Sequence, residues 1–153
     1  MNYLDIQIAT ESSDYPSERQ FQRWVDTVLA DPGQDSEIVI RLVDDAESAE
    51  LNRRYRHKPG STNILSFPFE APEGVELDLL GDLVICVPLI AQEARQQDKL
   101  PEHHWAHITI HGTLHLLGYD HIEETEAEEM EALEIKFLNK LNIANPYQEA
   151  STQ

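Results

Sequence analysis

The run "GDLVICV", residues 81–87, constrains this chain more than any other stretch. A strand that is apolar along its length has no side suited to water, so it belongs in the middle of a sheet. Three other segments read as strands. "YLDIQIA" alternates apolar and polar residues, as a half-buried strand does. "SEIVIRLV" and "NILSFPF" follow, the latter ending near Pro68. Helical patterns lie between and after them. Phe21, Trp24, Val25 and Val28 recur at helical spacing behind Ser17, a good N-cap, and "DPG" stops that helix. "DDAESAELNRRYR" opens with carboxylates that suit the positive end of a helix, and "HKPGST" after it is a turn. Residues 88–97, 101–117 and 123–141 read as three more helices, after a polar loop "EAPEGVELDLL". Gly118 is the expected C′ residue of the second of these. Met130, Leu133, Phe137, Leu138 and Leu141 form the apolar stripe of the third. With no repeat and no dividing linker, the expectation is one α/β (α+β) domain over 1–153. It would hold a mixed sheet of about four strands and about five helices, with 141–153 as a frayed tail.

The single cysteine, Cys86, lies inside the apolar run and reads as a small buried hydrophobe. One cysteine builds no intrachain disulfide framework, which suits a reducing cytosol. "MNYLDIQIAT" has no basic, apolar leader pattern. The longest apolar run, "LVICVPLIA", falls far short of the roughly 20 residues a membrane helix needs. A cytoplasmic protein without a membrane partner is expected. The net charge of −18, from 29 acidic and 11 basic residues, argues against a generic binder of phosphate backbones, and no DNA partner is expected. The distribution matters more than the sum. Arg53, Arg54, Arg56 and Lys58 cluster within one short stretch. Seven carboxylates between residues 123 and 134 read as a solvated helix face.

The chemistry concentrates in "HGTLHLLGYDH", residues 111–121. On a helix, His111 and His115 lie one turn apart on the same face. Gly118 then lets the chain turn and bring His121 back toward the same point. Three imidazoles suit zinc and leave a fourth position open, as catalytic sites do. Nickel, iron and copper also accept imidazole. His104 and His107 extend the same helix face and could support the site or sit as partly buried polar residues near its mouth. In the zinc-peptidase form of this spacing a glutamate follows the first histidine and serves as general base. Here Gly112 stands in that place. Either another residue takes the proton, or the substrate is one for which zinc-activated water suffices, such as a phosphodiester steadied by a nearby cation. Arg56, beside Lys58, is the candidate cation, since its fork matches phosphate oxygens. Arg53, Arg54 and Lys58 are candidate contacts for the phosphate backbone of such a substrate.

"HGTLHLLGYDH", with "YRHKPGSTNILSFPFE" and "LLGDLVI", resembles the YbeY family of bacterial rRNA-maturation endoribonucleases over roughly residues 37–141. The resemblance implies a metal-dependent RNA hydrolase acting in 3′-end maturation of small-subunit (16S) rRNA and in ribosome quality control. Its implied partners are rRNA, the small ribosomal subunit and its assembly factors. It also implies His111, His115 and His121 as ligands of one divalent ion, zinc first, and Arg56 as a functional arginine. The loop departs from the family pattern Y-R-G-K-D-x-P-T: His57 and Pro59 stand for Gly and Asp, and Ser61 for Pro. Three readings follow: a hydrolase of single-strand-type RNA, a metallopeptidase with a relocated base, and a non-catalytic factor that docks on ribosomal proteins with the ion bracing its fold. No general base is assignable, and Asp120 reads as a turn residue or a support for the third ligand.

Overall fold

A computed structural model describes residues 1–75, 78–119 and 123–147. The elements run β1 (Asn2–Ala9), α1 (Glu18–Val28), β2 (Ser36–Val43), α2 (Asp45–Arg56), β3 (Ile64–Pro68), β4 (Leu79–Cys86), α3 (Val87–Gln96), α4 (Pro101–Leu116) and α5 (Glu124–Lys140). The sheet order is β1-β2-β4-β3. β1, β2 and β4 are parallel, and β3 runs antiparallel to β4 at the edge. The apolar run at 81–87 is thus flanked by strands on both sides, as its composition requires. The expected α/β fold with a mixed four-stranded sheet and five helices is what the chain adopts.

Alternation along the strands sorts the two faces. Ile38, Ile40 and Leu42 of β2, with Leu83 and Ile85 of β4 and Ile64 of β3, point into the main core. Phe21 and Trp24 of α1, Ile90 of α3, Trp105, Ile110 and Leu114 of α4, and Met130 and Leu138 of α5 complete it. The intervening residues Val43, Leu65 and Val84 form a smaller cluster on the opposite face, against Leu51 of α2. Cys86 is fully buried, and burial pushes its thiol up to about 11, which suits the packing role expected of it. α4 packs at the centre of the main-core face of the sheet, touching α1, α3, α5, β3 and β4. A helix so enclosed is buried nearly all round, and even Thr109 and Thr113 are fully covered.

Local signals explain where elements begin and end. Ser17 accepts from the Gln20 amide while the Gln20 side chain bonds back to Ser17, a complete capping box. α2 ends at a non-glycine: His57 takes φ 57°, the left-handed conformation. That conformation costs an L-residue about 1–2 kcal/mol, whereas the extra chain entropy of an unfolded glycine costs about 0.5–1. His57→Gly is therefore expected to raise stability by about 0.5–1 kcal/mol, read as a rise in the urea midpoint at unchanged slope. An unchanged or lower midpoint would show that the His57 side chain holds the turn by a contact worth more than the strain.

The segment following α5, expected to be loose, is packed at two points. Ile143 joins the core, and the Tyr147 hydroxyl reaches Glu134 of α5 at 2.6 Å. Among the described residues, no helix is long and apolar enough to cross a membrane.

Candidate active site

α4 closes in a Schellman arrangement: the Gly118 amide bonds the His115 carbonyl at 3.0 Å and the Tyr119 amide bonds that of Leu114 at 3.1 Å. Gly118 has φ 100°, the conformation for which glycine is suited. This turn brings the Tyr119 carbonyl back over the helix end, where the His115 Nδ1–H donates to it at 2.9 Å. A carbonyl only accepts, so the hydrogen sits on Nδ1 and the lone pair of His115 Nε2 faces outward.

His111, one turn earlier, places its own Nε2 3.1 Å from that of His115. Two nitrogens each about 2.0–2.1 Å from a tetrahedral zinc stand about 3.3 Å apart, so the pair has the spacing of two ligands on one ion. On its far side, His111 Nδ1 lies 3.2 Å from Oε2 of Glu134. These residues fit a metal. His121, the third expected ligand, and Asp120 lie outside the described residues. Among the described residues, no three histidine, cysteine or carboxylate side chains are grouped for an ion, and their share of the site is the histidine pair.

The pair opens into a groove of about 950 Å³ that runs along the edge strand. One wall is the end of α2 and its turn, with Tyr55, Arg56 and Lys58. Residues 62–68, including all of β3, form the floor, and His111, His115, Gly118 and Tyr119 form the other wall. Among the described residues, no carboxylate lines this groove, while two fixed cations do. Such a groove presents positive potential locally despite the overall charge.

The turn that carries Lys58 is tied down by buried polar residues of α2. Ser48 exchanges hydrogen bonds with the backbone of Thr62, and Asn52 donates to the Gly60 carbonyl at 2.9 Å. Of the four clustered cations, Arg56 and Lys58 face the histidines. Arg53 pairs with Glu50 at 2.8 Å, and neither it nor Arg54 lines the groove.

The upper histidines differ from each other. His104 is buried and bonds Glu93 of α3 at 2.9 Å, away from the histidine pair. Glu93 also accepts from Asn63, so this contact braces α4 against α3 and the start of β3. His107 instead shares a carboxylate with His111: its Nε2 lies 2.6 Å from Oε1 of Glu134. Glu134 is fully buried, a correction to the reading of the 123–134 carboxylates as a uniformly solvated face. Its spacing from Met130 and Leu138, four residues either way, placed it in the apolar stripe.

The family model for "Endoribonuclease YbeY" matches residues 5–142. A curated "Endoribonuclease YbeY" from Colwellia psychrerythraea is 55% identical over 150 residues, covering 95% of this chain and 97% of that protein. The solution structure of TM1509 from Thermotoga maritima shares the fold, with a TM-score of 0.57 at 23% identity over 97% of this chain and 99% of that one. The chain belongs to the YbeY family of endoribonucleases.

Proposed function

We propose that this protein is a cytoplasmic, metal-dependent endoribonuclease that matures the 3′ end of small-subunit (16S) rRNA and acts in ribosome quality control, with the small subunit and its assembly factors as partners. The observation that carries the chemistry is the histidine pair, with Nε2 atoms 3.1 Å apart, opening into a groove that Arg56 and Lys58 line and, among the described residues, no carboxylate does. His111 and His115, together with His121, would hold one divalent ion, zinc first. An ion there supplies Lewis acidity: it polarises a phosphoryl oxygen and makes water acidic enough to ionise near pH 7.

The chain's own residues supply the rest. Arg56 offers a two-pronged donor to the phosphate oxygens on which negative charge grows during cleavage. Lys58 holds an adjoining phosphate as a point charge, and the edge strand leaves room for an extended single strand. Arg53 and Arg54, farther along the helix, would meet only RNA that continues past the groove. Because the field is local, affinity for RNA that does not enter the groove is low and salt-sensitive.

Stripping the protein with a chelator is expected to abolish cleavage of a single-stranded rRNA fragment, and restoring about one equivalent of zinc is expected to return it. A peptide substrate should stay intact in both states. Cleavage that persists in metal-free protein would overturn the metal-dependent mechanism, and peptide cleavage would overturn the substrate assignment.

A further inference from the structure

Glu134 is a fully buried carboxylate that three donors surround. The Tyr147 hydroxyl and His107 Nε2 each lie 2.6 Å from Oε1, and His111 Nδ1 lies 3.2 Å from Oε2. With two ring N–H groups and a phenol O–H converging on its two oxygens, the carboxyl group accepts from all three and keeps no hydrogen of its own. A neutral His107 that donates through Nε2 keeps a bare acceptor at Nδ1, and this Nδ1 is one of four buried side-chain atoms with no hydrogen-bond partner among the described residues.

The same logic applied to His111 reaches the groove. A ring that gives its Nδ1 hydrogen to a carboxylate presents the Nε2 lone pair at a fixed angle and as a stronger donor to a metal. That Nε2 is the atom facing His115. We infer that Glu134 is a positioning residue: it sets the tautomer and ring orientation of His111 as a metal ligand, and Tyr147 locks the carboxylate from the segment that follows α5. The two ligands are then oriented by different means, His115 by the carbonyl of the helix-ending turn and His111 by a carboxylate from a neighbouring helix. Tyr147 makes the second of these depend on the docking of the chain after α5.

The inference rests on the reading of His111 as a ligand, and one set of measurements separates the two. The tautomer of His111 is read first, by imidazole nitrogen NMR on the metal-free full-length protein near pH 8. Nδ1–H is expected, and Nε2–H overturns the inference whatever any variant does. Zinc affinity is then measured by competition with a chromophoric chelator for the wild type, Glu134→Gln and Tyr147→Phe. Glutamine keeps the shape but can accept or donate, so it no longer specifies the tautomer. Glu134→Gln is expected to bind zinc about 10–100-fold more weakly, with His111 in mixed tautomers and the metal-free melting temperature within a few degrees of wild type. Tyr147→Phe, a milder change, is expected to lose about 2–10-fold. A wild type that binds no zinc sinks the ligand reading and this inference together. If the wild type binds zinc and both variants bind it equally well with His111 unchanged, the inference alone falls.

Discussion

His115→Ala is expected to lose bound metal and RNA cleavage together, whereas Arg56→Ala keeps its metal and loses about 10²–10³-fold in cleavage rate. The two residues stand on opposite walls of one groove and belong to different elements, α4 and the end of α2. Removing the His115 imidazole takes away one proposed ligand and leaves His111 without its neighbour 3.1 Å away, so the ion is expected to be lost. Removing the Arg56 guanidinium touches no ligand. It deletes a charge-assisted donor at the phosphate, a change that acts when charge develops and leaves the site otherwise intact. Lys58→Ala should weaken RNA binding more than it slows chemistry, and the salt dependence should fall by about one counterion. Metal content by elemental analysis and single-turnover cleavage, run on the same preparations, check this. Arg56→Ala that cleaves within about threefold of wild type would make Arg56 an ordinary surface arginine, and a metal-free Arg56→Ala would mean that the α2 wall helps build the ion's site.

Much of this arrangement is written in local pattern. The apolar run at 81–87 identified an interior strand, and a serine, a Pro-Gly turn and Gly118 marked element ends to within a residue or two, because caps and turns depend on neighbours in the chain. Strand order is different. That β3 turns back antiparallel on β4 and becomes the edge follows from pairing between distant segments, and no local signal encodes it. This pairing is also what sets residues 62–68 beside the histidines as the floor of the groove. The basic cluster could be seen in the sequence, but not that two of its members face the groove while Arg53 turns to Glu50. Glu134 shows why an acidic run misleads. Six of the seven carboxylates between residues 123 and 134 are at least partly exposed and one is buried, and the distinguishing sign is helical phase, not composition. Tyr147 carried no sign at all, since its partners lie on α4 and α5.

Gly112→Glu, which restores the glutamate of the peptidase form, is expected to unfold the protein or lower its melting temperature by more than about 10 °C, and to yield no peptidase. At this glycine α4 lies close against side chains of β3 and β4. A Cβ built there would come within 2.4 Å of Ile64 Cδ1, 2.9 Å of Leu83 Cδ2 and 3.3 Å of Ser66 Oγ. Position 112 therefore points into the core under β3 and β4, while His111 and His115 face the groove. The first two neighbours are tips of flexible side chains, so alanine should be tolerated: overpacking of about 1–3 kcal/mol works against a helix-propensity gain of about 1. Glutamate adds a carboxylate with no cation or donor pair waiting for it, and burying one unpaired costs several kcal/mol more. Against a total stability of about 5–15 kcal/mol, that sum is large enough to unfold the chain. Thermal melts of wild type, Gly112→Ala and Gly112→Glu should fall in that order, with the wide gap before the last. A Gly112→Glu protein that melts near wild type and hydrolyses peptide would show that position 112 can reach the groove, and the peptidase reading would have to be reopened. The packing argues the reverse: a base at this position is sterically excluded, and the helix that carries the histidine pair is seated on the sheet by the same glycine that denies the site its glutamate.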